Sequence, residues 1–353
     1  MTDLLALTAD LVAIRSESHA EAELVERIEA DLAPVPGLDV VRVGDNVVAR
    51  TQLGRPHRLV LGGHTDTVPA NGNETPRVDG DTLWGLGSAD MKGGLAVMLE
   101  LARTIVEPVC DVTYVFYARE EVAMEHNGLR ELFAADPGLV AGDVAILGEP
   151  TSSVIEAGCQ GTMRAVVTLA GERAHTARAW MGTNAIHRLA PMLTAIDAYE
   201  PRRPTIDGCT FHEALQAVRV EGGVAGNVVP DEVMLTVNHR FAPDRDVAAA
   251  TDHVRGVLGP LLGPDDRLDV LDAAPSARPG LEHPLLRRLV DRNDLAVRAK
   301  LGWTDVAFFA ERGIPAVNFG PGDATIAHTA DEHLERASLE TTHRALADLL
   351  TTE

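Results

Sequence analysis

Apolar residues recur at helical spacing over residues 3–15, where Leu4, Leu7, Leu11 and Ile14 share a face, and again over 20–32 through Leu24, Val25, Ile28 and Leu32. The spacing then tightens to that of short strands at 38–43 and 46–51, followed by a run from His57 to Gly63 that reads as a buried strand. A helix with two early glycines is expected over 91–105, and further strands over 112–117 and 144–147. Strand and helix alternate. This predicts an α/β layer on a mostly parallel sheet.

The pattern changes at about residue 162. Strands are expected at 163–169, 215–220 and 233–238 and helices at 184–199 and 247–258, a compact α+β unit large enough for its own core. The Pro- and Gly-bearing stretch 274–280 reads as its exit, after which helices at 283–292, 304–311 and 338–350 and a strand at 316–319 resume the first style. The chain is therefore expected to form one discontinuous domain, 1–161 with 278–353, and an inserted domain, 162–277.

Open α/β sheets place ligand-binding residues just beyond the carboxyl ends of their strands. His64 and Asp66 stand two apart after the His57–Gly63 run and so project to the same side. Asp90 precedes a helix, Arg119-Glu120-Glu121 ends the 112–117 strand, Glu149-Pro150 ends the next, and Gly320-Pro-Gly-Asp323 leads to His328. Each has an ordinary reading by itself: Asp90 as a helix cap, Glu120-Glu121 as a solvated pair, Glu149 as a strand end, His328 as a surface histidine. Together they are harder to dismiss, because every ordinary reading must hold at corresponding edges of one sheet. Histidines and carboxylates without cysteine suit a pair of divalent metals such as zinc, one carboxylate bridging. Two such cations carry four positive charges against three from Asp90, Glu121 and Glu149, leaving a cationic site. Asp66 can orient His64, and Glu120, pointing away from Glu121, is free to act as a base.

Composition narrows the classes. At 353 residues the chain can hold two cores, and no apolar run approaches the ~20 residues that cross a bilayer. A formal charge of −22 opposes nucleic acid and anionic membranes, so an anionic substrate needs a local arginine or metal. Three scattered cysteines, Cys110, Cys159 and Cys209, argue for reduced thiols, and the N-terminus lacks the pattern of a secretory signal. A cytoplasmic protein is expected.

The segments GGHTDTVP, WGLGSADMKGG, AREEV, LGEPT, GERAHTARAW, GNVVPDEVMLTVNHRFAP and GPGDATIAH resemble the di-zinc aminoacylase/carboxypeptidase family of metallopeptidases and deacylases, across essentially the whole chain. The resemblance implies that His64, Asp90 and Glu149 hold one zinc and Asp90, Glu121 and His328 the other, with cobalt able to substitute. It makes Asp90 the bridge, places a cis peptide at Asp90-Met91, and gives Glu120 the proton transfers between attacking water and departing amine, with Asp66 orienting His64. The inserted domain becomes a lid and dimerisation domain of a homodimer, whose His175 reaches the oxyanion in the partner's site. Arg240, with Asn227 nearby in the motif, matches positions that grip a substrate carboxylate; Thr162, Arg178, Gly302 and Thr304 are further pocket candidates. Among family activities, GCQGTMR, RAHTARAWMGTNAIH and GWTDVAFFAERGIPAVNFGPGD point to hydrolysis of N-succinyl-LL-2,6-diaminopimelate. Deacetylation of acetylornithine, aminoacylase and di- or carboxypeptidase activities stay open, as does a non-catalytic metal-dependent binding role.

Overall fold

A computed structural model describes residues 2–352. The chain divides into two compact units, the first made of Met1–Gly158, Pro279–Arg298 and Phe308–Glu353, the second of Cys159–Arg278 and Ala299–Ala307.

The first unit is built on an eight-stranded sheet in the order Leu38–Val43, Asn46–Thr51, Asp111–Tyr117, Arg58–His64, Val144–Leu147, Ala316–Asn318, Ile155–Ala157 and Val297–Ala299. The middle four, from Asp111–Tyr117 to Ala316–Asn318, run parallel, and the strands next to them are antiparallel. Asp111–Tyr117 and Val144–Leu147 are buried along their full length, as strands covered on both faces require. Parallel strands bring their carboxyl ends to one edge, so His64, Glu120-Glu121 and Glu149 leave the sheet on the same side although they lie far apart in sequence.

The anticipated 91–105 helix begins as an irregular turn, Ser88–Lys92, and becomes regular over Gly93–Thr104. Its second glycine is required by packing. A Cβ on Gly94 would lie 2.3 Å from the backbone oxygen of Gly148, which cannot rotate away. Alanine normally favours a helix over glycine by up to about 1 kcal/mol, but overpacking against fixed backbone costs about 1–3 kcal/mol. Gly94→Ala is therefore expected to lower the unfolding temperature by several degrees; an unchanged or higher Tm would contradict this packing.

The second unit carries a four-stranded antiparallel sheet in the order Ala214–Gly222, Glu232–Phe241, Gly161–Ala170 and Arg267–Ala274. Glu232–Phe241 alternates between buried and partly exposed residues, which fits a strand with one covered face. Its inward side chains, Val233, Leu235 and Val237, join Met163, Val167, Met192 and Val254 in the core. The helix anticipated over 184–199 is a 3-10 turn, Ile186–Arg188, followed by an α-helix over Leu189–Asp197. The unit begins at Cys159 and reclaims Ala299–Ala307, a stretch that the sequence grouped with the first domain. Three contacts hold it there: Gln160 N donates to Lys300 O (3.2 Å), Trp303 Nε1 to Pro275 O (3.1 Å), and the Cys159 thiol to Thr304 O (3.8 Å).

Candidate metal centre

His64 closes its strand with a ring that is 1% exposed. Its Nδ1 lies 3.0 Å from the backbone oxygen of Asp66 and 3.5 Å from Asp66 Oδ1, while Nε2 lies 3.1 Å from Asp90 Oδ1. Both acceptors belong to Asp66, the residue expected to orient His64, and the carbonyl is the nearer of the two. Either acceptor keeps the proton on Nδ1 and directs Nε2 at Asp90, as a metal-binding histidine requires.

The Asp66 carboxylate holds the neighbouring loop. Oδ1 accepts the Glu120 amide (2.9 Å), and Oδ2 accepts the Glu121 amide (3.0 Å) and the Ser18 hydroxyl (2.7 Å). Burial would raise its pKa, but His64, Ser18 and the Glu120 amide hold it at about 2. The chain presents two successive amides to one carboxylate because Arg119 sits at φ 63°, in the left-handed region. Arg119 is fixed there by Glu131 (2.6 Å) and by the carbonyl of His126 (3.0 Å).

Asp90 precedes a cis peptide to Met91, as the resemblance implied. His328, at φ 64°, directs Nε2 to Glu121 Oε1 at 2.8 Å and to Asp90 Oδ2 at 3.5 Å. Ligand atoms of His64, Asp90 and Glu121 all lie within 4.8 Å of one another. Glu149, buried beyond the Val144–Leu147 strand, acts on His64 through its charge. Direct contacts thus link His64, Asp90, Glu121 and His328, and the charge of Glu149 acts on the same cluster.

The positive charge in this cluster is carried by imidazoles. Burial works against protonating His64, yet Asp66 and Asp90 raise its pKa well above the ordinary value; hydrogen bonds to Asp90 and Glu121 raise His328 to about 10. The same two histidines, through Nε2 and with burial opposing, keep Asp90 ionised. Two imidazole nitrogens facing three carboxylates form a donor set that attracts positive charge and suits divalent cations bound by nitrogen and oxygen. The three cysteines are buried and free.

Three supporting residues went unassigned in the sequence: Ser18 and Arg119, described above, and Glu332, whose Oε1 accepts the amides of Ala89 and Asp90 at 3.0 Å each. Arg119 lies inside a motif that the sequence did highlight. Ser18 and Glu332 carry no pattern of spacing that sets them apart.

The substrate-side candidates of the second unit fall into two groups. Thr162 and Arg240 are cross-strand partners, bridged by Asn238, which donates to Thr162 Oγ1 (3.3 Å) and accepts from Arg240 Nε (3.2 Å). Thr304 is held near the start of this unit by the Cys159 contact, and Gly302 is exposed in the same segment. His175 and Asn227 lie together elsewhere: His175 bridges to Val228, and the Thr176 amide donates to Asn227 O (3.0 Å). Arg178 follows at a kink in the exposed turn Thr176–Met181. Asn227 is therefore not beside Arg240, as its place in the motif suggested. Thr162 stands at the start of the ten-residue strand Gly161–Ala170 and His175 beyond its end, so the groups are separated by about 30 Å of extended chain.

Comparison with known proteins gives the family. The model of "Peptidase family M20/M25/M40" matches residues 60–352. The chain is 44% identical over 338 residues to the succinyl-diaminopimelate desuccinylase of Corynebacterium glutamicum, covering 94% of this chain and 91% of that one. It is 51% identical over 333 residues, 94% of this chain and 93% of the other, to a Mycobacterium tuberculosis protein provisionally named for the same activity. Among solved structures, a Staphylococcus aureus tripeptidase superposes with a TM-score of 0.78 at 24% identity, covering 99% of this chain and 97% of the other. A Bacillus subtilis protein described as a dinuclear metal binding peptidase gives 0.73 at 17% identity, covering 98% and 96%. With the match running through both units and a histidine–carboxylate cluster at the carboxyl edge of its parallel strands, the chain belongs to peptidase family M20/M25/M40.

Proposed function

We propose that this protein is a succinyl-diaminopimelate desuccinylase, hydrolysing N-succinyl-LL-2,6-diaminopimelate to succinate and LL-2,6-diaminopimelate. The observation that carries the reading is the 44% identity to the corynebacterial desuccinylase over 94% of this chain. The cluster around Asp90 supplies the chemistry it needs.

His64, Asp90 and Glu149 would hold one cation and Asp90, Glu121 and His328 the other, with zinc the expected metal and cobalt a substitute. Bound there, the two cations supply a positive field that polarises an amide carbonyl and makes water a stronger acid. Glu120 takes a proton from the attacking water as the new C–O bond forms, then returns it to the amine as the C–N bond breaks. Asp66 keeps the backbone of Glu120 and Glu121 in place throughout. Arg240, half-buried and steadied by Asn238, meets a substrate carboxylate with its planar fork, with Thr162, Gly302 and Thr304 as further contacts, while Arg178 goes with His175, to whose carbonyl its amide donates.

His175 and Asn227, being remote from Arg240 on their own chain, serve the partner's site in a homodimer, where His175 faces the oxyanion. The second unit offers a surface for such pairing: Ala214–Gly222 is an edge strand with Val218 and Val220 about half exposed. Among the described residues no helix is long and apolar enough to cross a membrane, and free cysteines suit the reducing cytoplasm where this reading places the enzyme.

The test is a comparison of kcat/KM on N-succinyl-LL-2,6-diaminopimelate, N-acetylornithine and dipeptides at defined metal content. The succinyl substrate should lead by about 100-fold or more. Equal or faster turnover of another substrate would move the chain to a sister activity. No hydrolysis of any of them by metal-loaded protein would leave only the binding role.

A further inference from the structure

Glu332 is 1% exposed and spends one carboxylate oxygen on two consecutive amides, those of Ala89 and Asp90. It lies in the segment that carries His328. Its own amide donates to Thr329 O (3.3 Å), a carbonyl that also accepts from Asn73 Nδ2 (3.0 Å), and its carbonyl accepts the amide of Gly85 (3.1 Å). Immediately afterwards His333–Glu335 pairs antiparallel with Thr82–Trp84. Glu332 therefore joins two segments more than 240 positions apart, one bearing Asp90 and the other His328.

We infer that Glu332 is a positioning residue that sets the separation of Asp90 and His328, and so governs the cation those two share with Glu121. This rests on the ligand assignment proposed above. A buried carboxylate here is needed for its reach and for its two lone pairs, because leaving both amides unpaired in a dry setting costs about 1–3 kcal/mol each. His64 and Glu149 follow neighbouring parallel strands whose spacing is fixed by the sheet, so two ligands of the first cation are placed without Glu332 and that cation depends less on it.

Two mild variants separate reach from charge. Glu332→Gln keeps an oxygen at the same distance and removes the charge; Glu332→Asp keeps the charge and withdraws the oxygen by one methylene. Zinc and cobalt are titrated into the stripped full-length proteins, with cobalt absorption reporting ligand geometry. Glu332→Asp should weaken one of two cations by about 10- to 100-fold, alter the cobalt spectrum and leave the other cation near wild-type affinity. Glu332→Gln should resemble wild type in both. Wild-type affinities in the Asp variant, equal weakening of both cations, or a Gln variant weaker than the Asp variant would each overturn the inference. Wild-type protein that takes up no pair of cations would instead overturn the ligand assignment.

Discussion

Glu120→Gln is expected to retain two cations and to lose about 10²- to 10⁴-fold in kcat, with KM little changed. The backbone at position 120 is fixed by its amide, which donates to Asp66 Oδ1, and glutamine leaves that bond intact. Glu121 likewise keeps its amide bond to Asp66 and its contact with His328. The substitution thus removes a proton acceptor without disturbing the ligands beside it. Metal analysis and steady-state kinetics on the same preparation check it. A kcat within about tenfold of wild type would remove Glu120 from the proton transfers.

Stripping the cations with a chelator is expected to abolish turnover, and zinc or cobalt to restore it. Rebinding should also release protons. In the stripped protein His328 has its pKa raised to about 10 by Asp90 and Glu121, and His64 is raised well above its usual value by Asp66 and Asp90 against the effect of burial. Both rings are then charged at neutral pH, whereas a metal takes only the neutral imidazole. The sign follows: each cation displaces a proton, so apparent affinity rises with pH and falls as the solution is acidified towards pH 6. A pH indicator in weak buffer reads the release directly. Uptake of cations with no proton released, or tighter binding at pH 6 than at pH 8, would contradict the protonated cluster.

The centre was legible because its signal is topological. Parallel strands deliver their last residues to a common edge, so listing the polar residues after each apolar run picked out His64, Asp66, Glu120, Glu121 and Glu149 as candidates; Asp90, in the turn Ser88–Lys92, and His328, beyond the Ala316–Asn318 strand, were found with them without ending a parallel strand. Residues that act through backbone were not legible. Arg119 matters for a left-handed φ that tips two amides onto Asp66, and Glu332 for two amides it accepts, and neither leaves a periodic trace. The fold shows the same contrast. Long amphipathic segments such as Val247–Leu258 announce themselves. Strand Arg267–Ala274 does not, since a register shift between Val270 and Asp272 breaks its alternation at an exposed edge. The short helix Gly128–Ala135, also unanticipated, opens with glycine and relies on the Asn127 side chain capping Leu129 and Arg130. Asn227 was grouped with Arg240 by proximity in a motif, but the long hairpin of the second unit separates what the motif places side by side.

Anomalous diffraction from zinc-loaded crystals tests the central claim most directly, because it locates the cations independently of activity. Two peaks about 3.5–4 Å apart, one on each side of the Asp90 carboxylate, with His64 and Glu149 on one and Glu121 and His328 on the other, are the predicted result. A single peak, or peaks that leave Asp90 outside the coordination of both, would contradict it.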